Sequence, residues 1–314
     1  ENPYYITEEE AQDVWTTDGA GTITGYTGTD TNVIVPIKIG EKNIATIKSI
    51  AFQNCETVEN IIITDNITDI GSAAFRGCTN LTNVTIQGSV TEIKDRTFNG
   101  CINLTNITIP DTVTRIGYNA FEGSGIKNIA IPNSVTIINT EAFKDCVELE
   151  TITLSNNITS INGSLFEGCK KLQTIIIPEN VTFLGGSAFE GCSSLNNVII
   201  PANTKMINAS AFKNCTSLKD ITIQEGVTEI GEKAFSGCIA LESITLPNTI
   251  TKMKYDTTPS NWTPTYGSDV FENCTSLTNI YFAVGENPIP DEEFVPYGAP
   301  NENVTVTKLT AENQ

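Results

Sequence analysis

Large apolar side chains return along this chain in one recurring phrase. In Val113-Thr-Arg-Ile116-Gly-Tyr-Asn-Ala120-Phe121-Glu-Gly123 they fall at the first, fourth, eighth and ninth positions, and near-copies follow almost from end to end. With the Phe as marker, Phe52, Phe75, Phe98, Phe121, Phe143, Phe166, Phe189, Phe212, Phe235 and Phe271 lie 23 residues apart, except for 22 before Phe143 and 36 before Phe271. A near-constant period of this length belongs to a repeat protein, which grows by stacking one unit on the next.

One unit starts at Leu81-x-x-Val84-x-Ile86, continues through Val90-x-x-Ile93, and closes on Phe98 and Cys101. The Val84/Ile86 alternation recurs as Ile107/Ile109, Ile152/Leu154, Ile175/Ile177 and Val198/Ile200, so each repeat supplies a short strand with one buried face. Strands repeated in series predict a parallel sheet. Pro110, Pro132, Pro178, Pro201 and Pro247 end these strands, where a missing donor and a fixed φ favour a turn. The Val90/Ile93 pair predicts a second extended segment. The residues from Gly71, Gly117, Gly185 or Gly231 to the Phe suit one helical turn with the ring inward.

Residues 1–43 lack the marker Phe but alternate at Val33, Val35, Ile37 and Ile39, which predicts an N-terminal cap of strands and turns. The repeats occupy 44–283. Residues 284–314 form a C-terminal cap or tail, with Val304-Thr-Val306 as a last strand. A stacked architecture makes the whole one elongated structural domain. A solenoid needs both caps, because its end rungs would otherwise present open sheet edges. Between Met253 and Phe271 the period is forced open by a loop, 254–268, that carries Tyr255, Trp262 and Tyr266. Insertions in solenoids map to surface loops, often on a binding face, although such a Trp can equally pack back on the flank.

Charge narrows the partners. The chain has 18 Lys+Arg against 37 Asp+Glu, a net charge of -19, so it repels nucleic acid and anionic membrane. No run approaches the roughly 18 apolar residues of a membrane span, so direct membrane insertion of this segment is not expected. The start at Glu1 reads as a mature or trimmed chain, in which no export signal is present.

Chemistry narrows further. There is no His, which removes Ser-His-Asp and Cys-His nucleophile systems and His-ligated metals. The nine Cys each follow a marker Phe by three residues, with Ser124 in the place of a tenth. That spacing marks a repeat position and predicts buried free thiols, not a disulfide framework or a metal site. Asp69 and Glu92 hold equivalent positions in adjacent repeats and form a carboxylate pair that could approach as glycoside hydrolysis requires. We expect no catalytic, metal or cofactor site.

The outward positions carry the binding signal. Between the two inward strand residues half of the repeats place Thr, whereas two adjacent repeats place Ile176 and Ile199. The outward position of the second segment becomes Phe183 and Met206 in the same repeats. Exposed apolar groups clustered in this way suggest a partner surface, or a self-association contact.

The phrase L-x-x-I-x-I-P-x-x-V-T-x-I-G-x-x-A-F-x-G-C, carried by Ile107-Thr-Ile-Pro110, Ile116-Gly-Tyr-Asn-Ala-Phe121 and Ile230-Gly-Glu-Lys-Ala-Phe-Ser-Gly-Cys238, resembles the BspA-like family of bacterial leucine-rich-repeat proteins. The resemblance covers about residues 44 to 283. It implies a leucine-rich-repeat solenoid, a right-handed β/α superhelix of short parallel strands and helical turns, with about ten 23-residue repeats between caps. It also implies an exported or surface-attached protein that adheres to host proteins, other cells or glycans, and it brings no catalytic residues to carry over. The expectation is a non-enzymatic, secreted or cell-surface recognition module whose sheet binds a host matrix or cell-surface protein. Glycan binding through the Trp262 loop, or a role as spacer in a larger surface protein, are the alternatives.

Overall fold

The computed structural model describes residues 4–254, 269–285 and 304–310. The inserted loop with Tyr255, Trp262 and Tyr266 lies outside the described residues. The chain packs as two compact units, Glu1–Asn157 and Ile158–Gln314.

A single rung shows how the repeat folds. Strand Asn83–Ile86 turns Val84 inward and Thr85 outward, and after a turn the strand Glu92–Ile93 buries Ile93. Where a Pro ends the first strand, its carbonyl closes the turn: Val113 N–H donates to Pro110 O at 3.0 Å and Val181 N–H to Pro178 O at 3.0 Å. The third side of the rung departs from the expected helical turn. The N–H groups of Ala74, Arg76 and Cys78 donate three residues back, to Gly71, Ala73 and Phe75, while those of Ala73, Phe75 and Gly77 donate to Asp95, Thr97 and Asn99 of the next rung. A helix is impossible there because residues four apart are left-handed, with φ of 55° at Ala73 and 72° at Gly77. This third ladder joins successive rungs by backbone hydrogen bonds, as the strands do on the other two sides.

The left-handed position two residues after each Phe is filled only by Gly, Asn or Asp, including Asn54, Gly123 and Asp145. Those residues tolerate positive φ at least cost. Gly117, one residue after an inward Ile, answers a different need. A Cβ there would lie 2.5 Å from the backbone nitrogen of Asp95 in the rung before.

In unit 1 the first strands pair in parallel through Asn32–Ile34, Asn60–Ile63, Asn83–Ile86 and Asn106–Ile107, and Asn128–Ala130 pairs with Thr151–Thr153. The second strands form a separate sheet face, seen in the parallel trio Glu92–Ile93, Arg115–Ile116 and Ile137–Ile138. Between them the rings of Phe52, Phe75, Phe98, Phe121 and Phe143 stack at centroid distances of 4.8, 5.5, 5.5 and 5.2 Å. The missing residue before Phe143 leaves the stack regular. Gly125 makes the tightening possible, since a Cβ there would meet Ile102 O at 2.3 Å.

Unit 2 repeats the plan. One parallel sheet orders Ser160–Ile161, Phe183–Leu184, Met206–Ile207, Glu229–Gly231 and Lys252–Lys254, and the other orders Asn197–Ile200, Asp220–Ile223, Ser243–Leu246, Asn279–Phe282 and Thr305–Lys308. Phe166, Phe189, Phe212, Phe235 and Phe271 stack at 5.4, 5.1, 5.7 and 5.8 Å. The last strand predicted at Val304–Val306 is Thr305–Lys308, parallel to Asn279–Phe282.

The N-terminal cap contains the expected strands and one helix that alternation did not suggest, Glu8–Gln12. Its signal is Thr7-x-x-Glu10, a capping box: Thr7 N–H donates to Glu10 Oε2 at 2.7 Å and Glu10 N–H to Thr7 Oγ1 at 3.1 Å. Strands Trp15–Thr17 and Thr22–Tyr26 form an antiparallel hairpin, and the latter pairs in parallel with Thr46–Ile47. The hairpin ends the aromatic column. Tyr26 stacks on Phe52 at 5.5 Å, and Trp15 meets Tyr26 at 4.8 Å and Phe52 at 6.0 Å.

Candidate partner-binding surface

The alternation that buries Ile175 and Ile177 beside the Thr174 bridge, and Val198 and Ile200 in strand Asn197–Ile200, turns Ile176 and Ile199 to solvent, where they are 86% and 55% exposed. The bridge between Thr174 and Asn197 sets the register, so Ile176 stands opposite Ile199 on one sheet face. Phe183 is 47% exposed and Met206 half-buried. Their strands are neighbours, with Leu184 opposite Ile207, but in the other sheet of unit 2. The structure therefore makes two apolar pairs on two sheets and does not gather all four residues on one.

Beside the Ile pair lies a feature that hydrophobic periodicity could not reveal, an open polar groove of 600 Å³ lined by Gln173, Asn196, Asn197, Ser217, Lys219 and Asp220 among others. Asn197 and Ile199 alternate on the same outward face of their strand. The side chains of Gln173, Asn197, Lys219 and Asp220 make no hydrogen bond or ion pair in the structure. Register mates in unit 1 behave differently. There Asn60 Nδ2 donates to Asn32 Oδ1 at 2.7 Å, Asn83 donates to Asn60, and Asn106 Nδ2 donates to Asn83 Oδ1 at 2.6 Å. That amide ladder satisfies itself, whereas the groove in unit 2 leaves its polar groups open. In the sequence the run of Asn at this position ends at Asn128, and Thr174 and Asp220 flank Asn197.

The carboxylates Asp69 and Glu92 are each held by a cation. Lys94 Nζ lies 2.5 Å from Asp69 Oδ1, and Arg115 Nη1 lies 3.7 Å from Glu92 Oε2. The pairs join residues of successive rungs on the exposed face, as structural ion pairs do.

The thiols lie where the period put them, outside any disulfide and buried at Cys78, Cys101, Cys146, Cys169, Cys192, Cys215, Cys238 and Cys274, with Cys55 half-buried. They are also donors. Cys78 Sγ donates to Phe52 O at 3.0 Å, Cys146 to Phe121 O at 3.1 Å and Cys215 to Phe189 O at 3.1 Å, each reaching the Phe carbonyl of the rung before. Burial raises the pKa of Cys146 from 9.0 to about 12, the hydrogen bond to Ser124 offsetting part of the rise, and burial pushes Cys192, Cys215 and Cys238 higher than usual as well. Protonated thiols are poor nucleophiles. Among the described residues no group of three His, Cys, Asp or Glu could hold a metal ion, and no helix is long and apolar enough to cross a membrane.

The family model for the BspA type leucine rich repeat region, in 6 copies, matches residues 29–150 and 136–261. The chain belongs to the BspA-type leucine-rich-repeat family. Its rungs are thus leucine-rich repeats of the BspA type, each built on the Leu, strand, Phe and Cys positions described above. Among solved structures, a leucine-rich repeat protein from Bacteroides ovatus is 24% identical, covers 94% of this chain and 97% of its own, and superposes with a TM-score of 0.50. One from Eubacterium ventriosum is 20% identical over 96% of this chain and 81% of its own, with a TM-score of 0.56. A leucine rich cell surface protein from Faecalibacterium prausnitzii is 26% identical over 92% and 96%, with a TM-score of 0.44. Comparison with curated proteins finds no match.

Proposed function

We propose that this BspA-type repeat protein is a non-enzymatic recognition module of the cell surface or of secretions, and that it binds a protein partner through the sheet face of unit 2 that carries Ile176 and Ile199. The observation that carries the reading is the exposed Ile pair beside open polar groups. An apolar centre with a polar rim is the composition of a protein interface. Two neighbouring Ile exposed at 86% and 55%, where Thr245 and other mates are Thr, are a surface that water disfavours and a partner would cover. A recognition role, not a catalytic one, is supported by the protonated thiols and by the cations that hold Asp69 and Glu92. Placement outside the cell follows from what the family resemblance implies.

The test is a binding panel of extracellular matrix and cell-surface proteins read against an Ile176→Thr/Ile199→Thr variant, which installs the Thr found at this position in Thr153 and Thr222 of the flanking rungs and leaves the core untouched. Loss of at least tenfold in affinity is expected, the size of a modest interface hot spot. Unchanged binding would remove this face. A glycan reading is favoured by the amides and hydroxyls of the groove alone. It predicts that Asn197→Ala, and not the Ile substitutions, abolishes binding on a glycan array. Tyr255, Trp262 and Tyr266 remain proposed contacts of the inserted loop, and Phe183 and Met206 a second proposed contact.

A further inference from the structure

The N-terminal cap holds a cleft of 640 Å³, within the range of about 300–1,000 Å³ typical of small-molecule sites. It is walled by the helix Glu8–Gln12 on one side and by the hairpin of strands Lys38–Ile39 and Lys42–Asn43 on the other. Its floor is apolar: Trp15, Ile39 and Ile44 are 9%, 7% and 1% exposed. Three charged groups line it as well, Glu8 and Glu9 from the helix and Lys42 from the hairpin. None of the three makes an ion pair or hydrogen bond, although nearby Lys38 and Glu41 pair with each other at 3.2 Å. The walls are close: a Cβ on Gly40 would lie 2.8 Å from Glu8 Cγ.

Trp15 is the second observation. Its ring is packed against Tyr26 and Phe52, yet its indole N–H has no hydrogen-bond partner, and it is not among the buried polar atoms left unpaired. The donor therefore reaches solvent, and the cleft is the space that Trp15 lines. A Trp more than nine-tenths buried ordinarily finds a partner for that N–H.

The cleft thus offers two unpaired carboxylates, an unpaired ammonium, an unpaired N–H donor and an apolar floor. We propose that it binds a small zwitterion, an α-amino acid or short peptide with both termini free and an apolar side chain. The ligand's ammonium meets Glu8 and Glu9, its carboxylate meets Lys42 and the Trp15 N–H, and its side chain lies on Ile39 and Ile44. A simple organic cation would leave Lys42 and the indole N–H unused, and an anion would leave the two glutamates facing it. Each charged group is satisfied only by a ligand that carries both signs.

Trp15 is itself the reporter, since the chain has only one other Trp, Trp262, which Trp262→Phe removes. Titrating that protein with leucyl-leucine should give a saturable change in Trp15 fluorescence. Acetylating the amine or amidating the carboxylate of the dipeptide should weaken binding about tenfold each, the value of one lost charge-assisted contact. In Glu8→Gln/Glu9→Gln the acetylated and free dipeptides should bind alike, and in Lys42→Met the amidated and free forms should bind alike. Absence of a saturable response, or equal binding of free and blocked dipeptides to the parent protein, would overturn the proposal. The blocked ligands test it even if a variant fails to fold, which thermal melting of each variant reports.

Discussion

In the rungs that carry Phe52 and Phe75, the Phe carbonyl accepts two hydrogen bonds, from the backbone N–H three residues on and from the thiol of the next rung. The Cys ladder is therefore more than small apolar filling. Burial holds the thiols of Cys192, Cys215 and Cys238 above their usual pKa and pushes those of Cys146 and Cys274 from 9.0 to about 12. A folded pKa above the unfolded one stabilises fully below about pH 9 and progressively less as the pH rises toward about 12, because only the unfolded chain then gives up the proton. Urea midpoints should fall from pH 9 to pH 11 more steeply than in a variant with Cys146→Ala and Cys274→Ala. Native alkylation should label Cys55 first. Strain is also local to residues. Ile50 is β-branched, left-handed at φ 60° and 58% exposed, where the equivalent Asn119 has a tolerant side chain. Ile50→Asn should raise stability by about 0.5–1 kcal/mol, since the left-handed penalty for an ordinary side chain is about 1–2 kcal/mol and little burial is lost. A shifted urea midpoint with an unchanged slope would register it.

At the level of the rung and the cap, a stacked aromatic column needs an end. Trp15 and Tyr26 supply it with rings from a hairpin that is itself paired to the first rung. Tyr26 is half-buried, so Tyr26→Ala should cost about 1–3 kcal/mol, less than a fully buried aromatic, and the loss should be local. Hydrogen exchange should quicken around Thr22–Phe75 and stay slow around Phe212. A uniform loss of protection would contradict the nearest-neighbour picture. The helical turn expected before each Phe fails for a related reason. Periodicity registers that a ring points inward, but the N–H groups of Ala73, Phe75 and Gly77 are claimed by carbonyls about 22 residues ahead, and no local signal marks that claim. The left-handed residues were visible as Gly, Asn or Asp two positions after the Phe, yet hidden two positions before it, where Ala73, Arg96 and Glu141 stand.

For the molecule as a whole, the dominant physical quantity is its net charge of -19. Like charges on a folded surface repel, and salt screens them. The melting temperature should rise as ionic strength goes from about 10 mM to about 150 mM, over which the screening length falls from about 30 to about 8 Å. A flat or falling Tm would mean that pairs such as Lys94 with Asp69 outweigh the general repulsion.

The inward half of the structure was legible in the residue order. Phe, Leu, Ile and Cys recur at constant spacing because each must meet its own copy in the next rung, so one rung determines its neighbours and the strands, their register and the buried columns follow. Which positions turn outward was legible too, as at Ile176 and Ile199, but what the outward polar groups meet was not. Asn83 and Asn197 hold the same place in the repeat, yet one is locked in a ladder of amides and the other stands free beside Ile199. Glu8, Glu9 and Lys42 look like ordinary surface charges until a helix and a hairpin fold over Trp15. Whether a polar side chain is satisfied depends on partners brought close only when the chain has stacked, and a periodic code for the core carries no record of them.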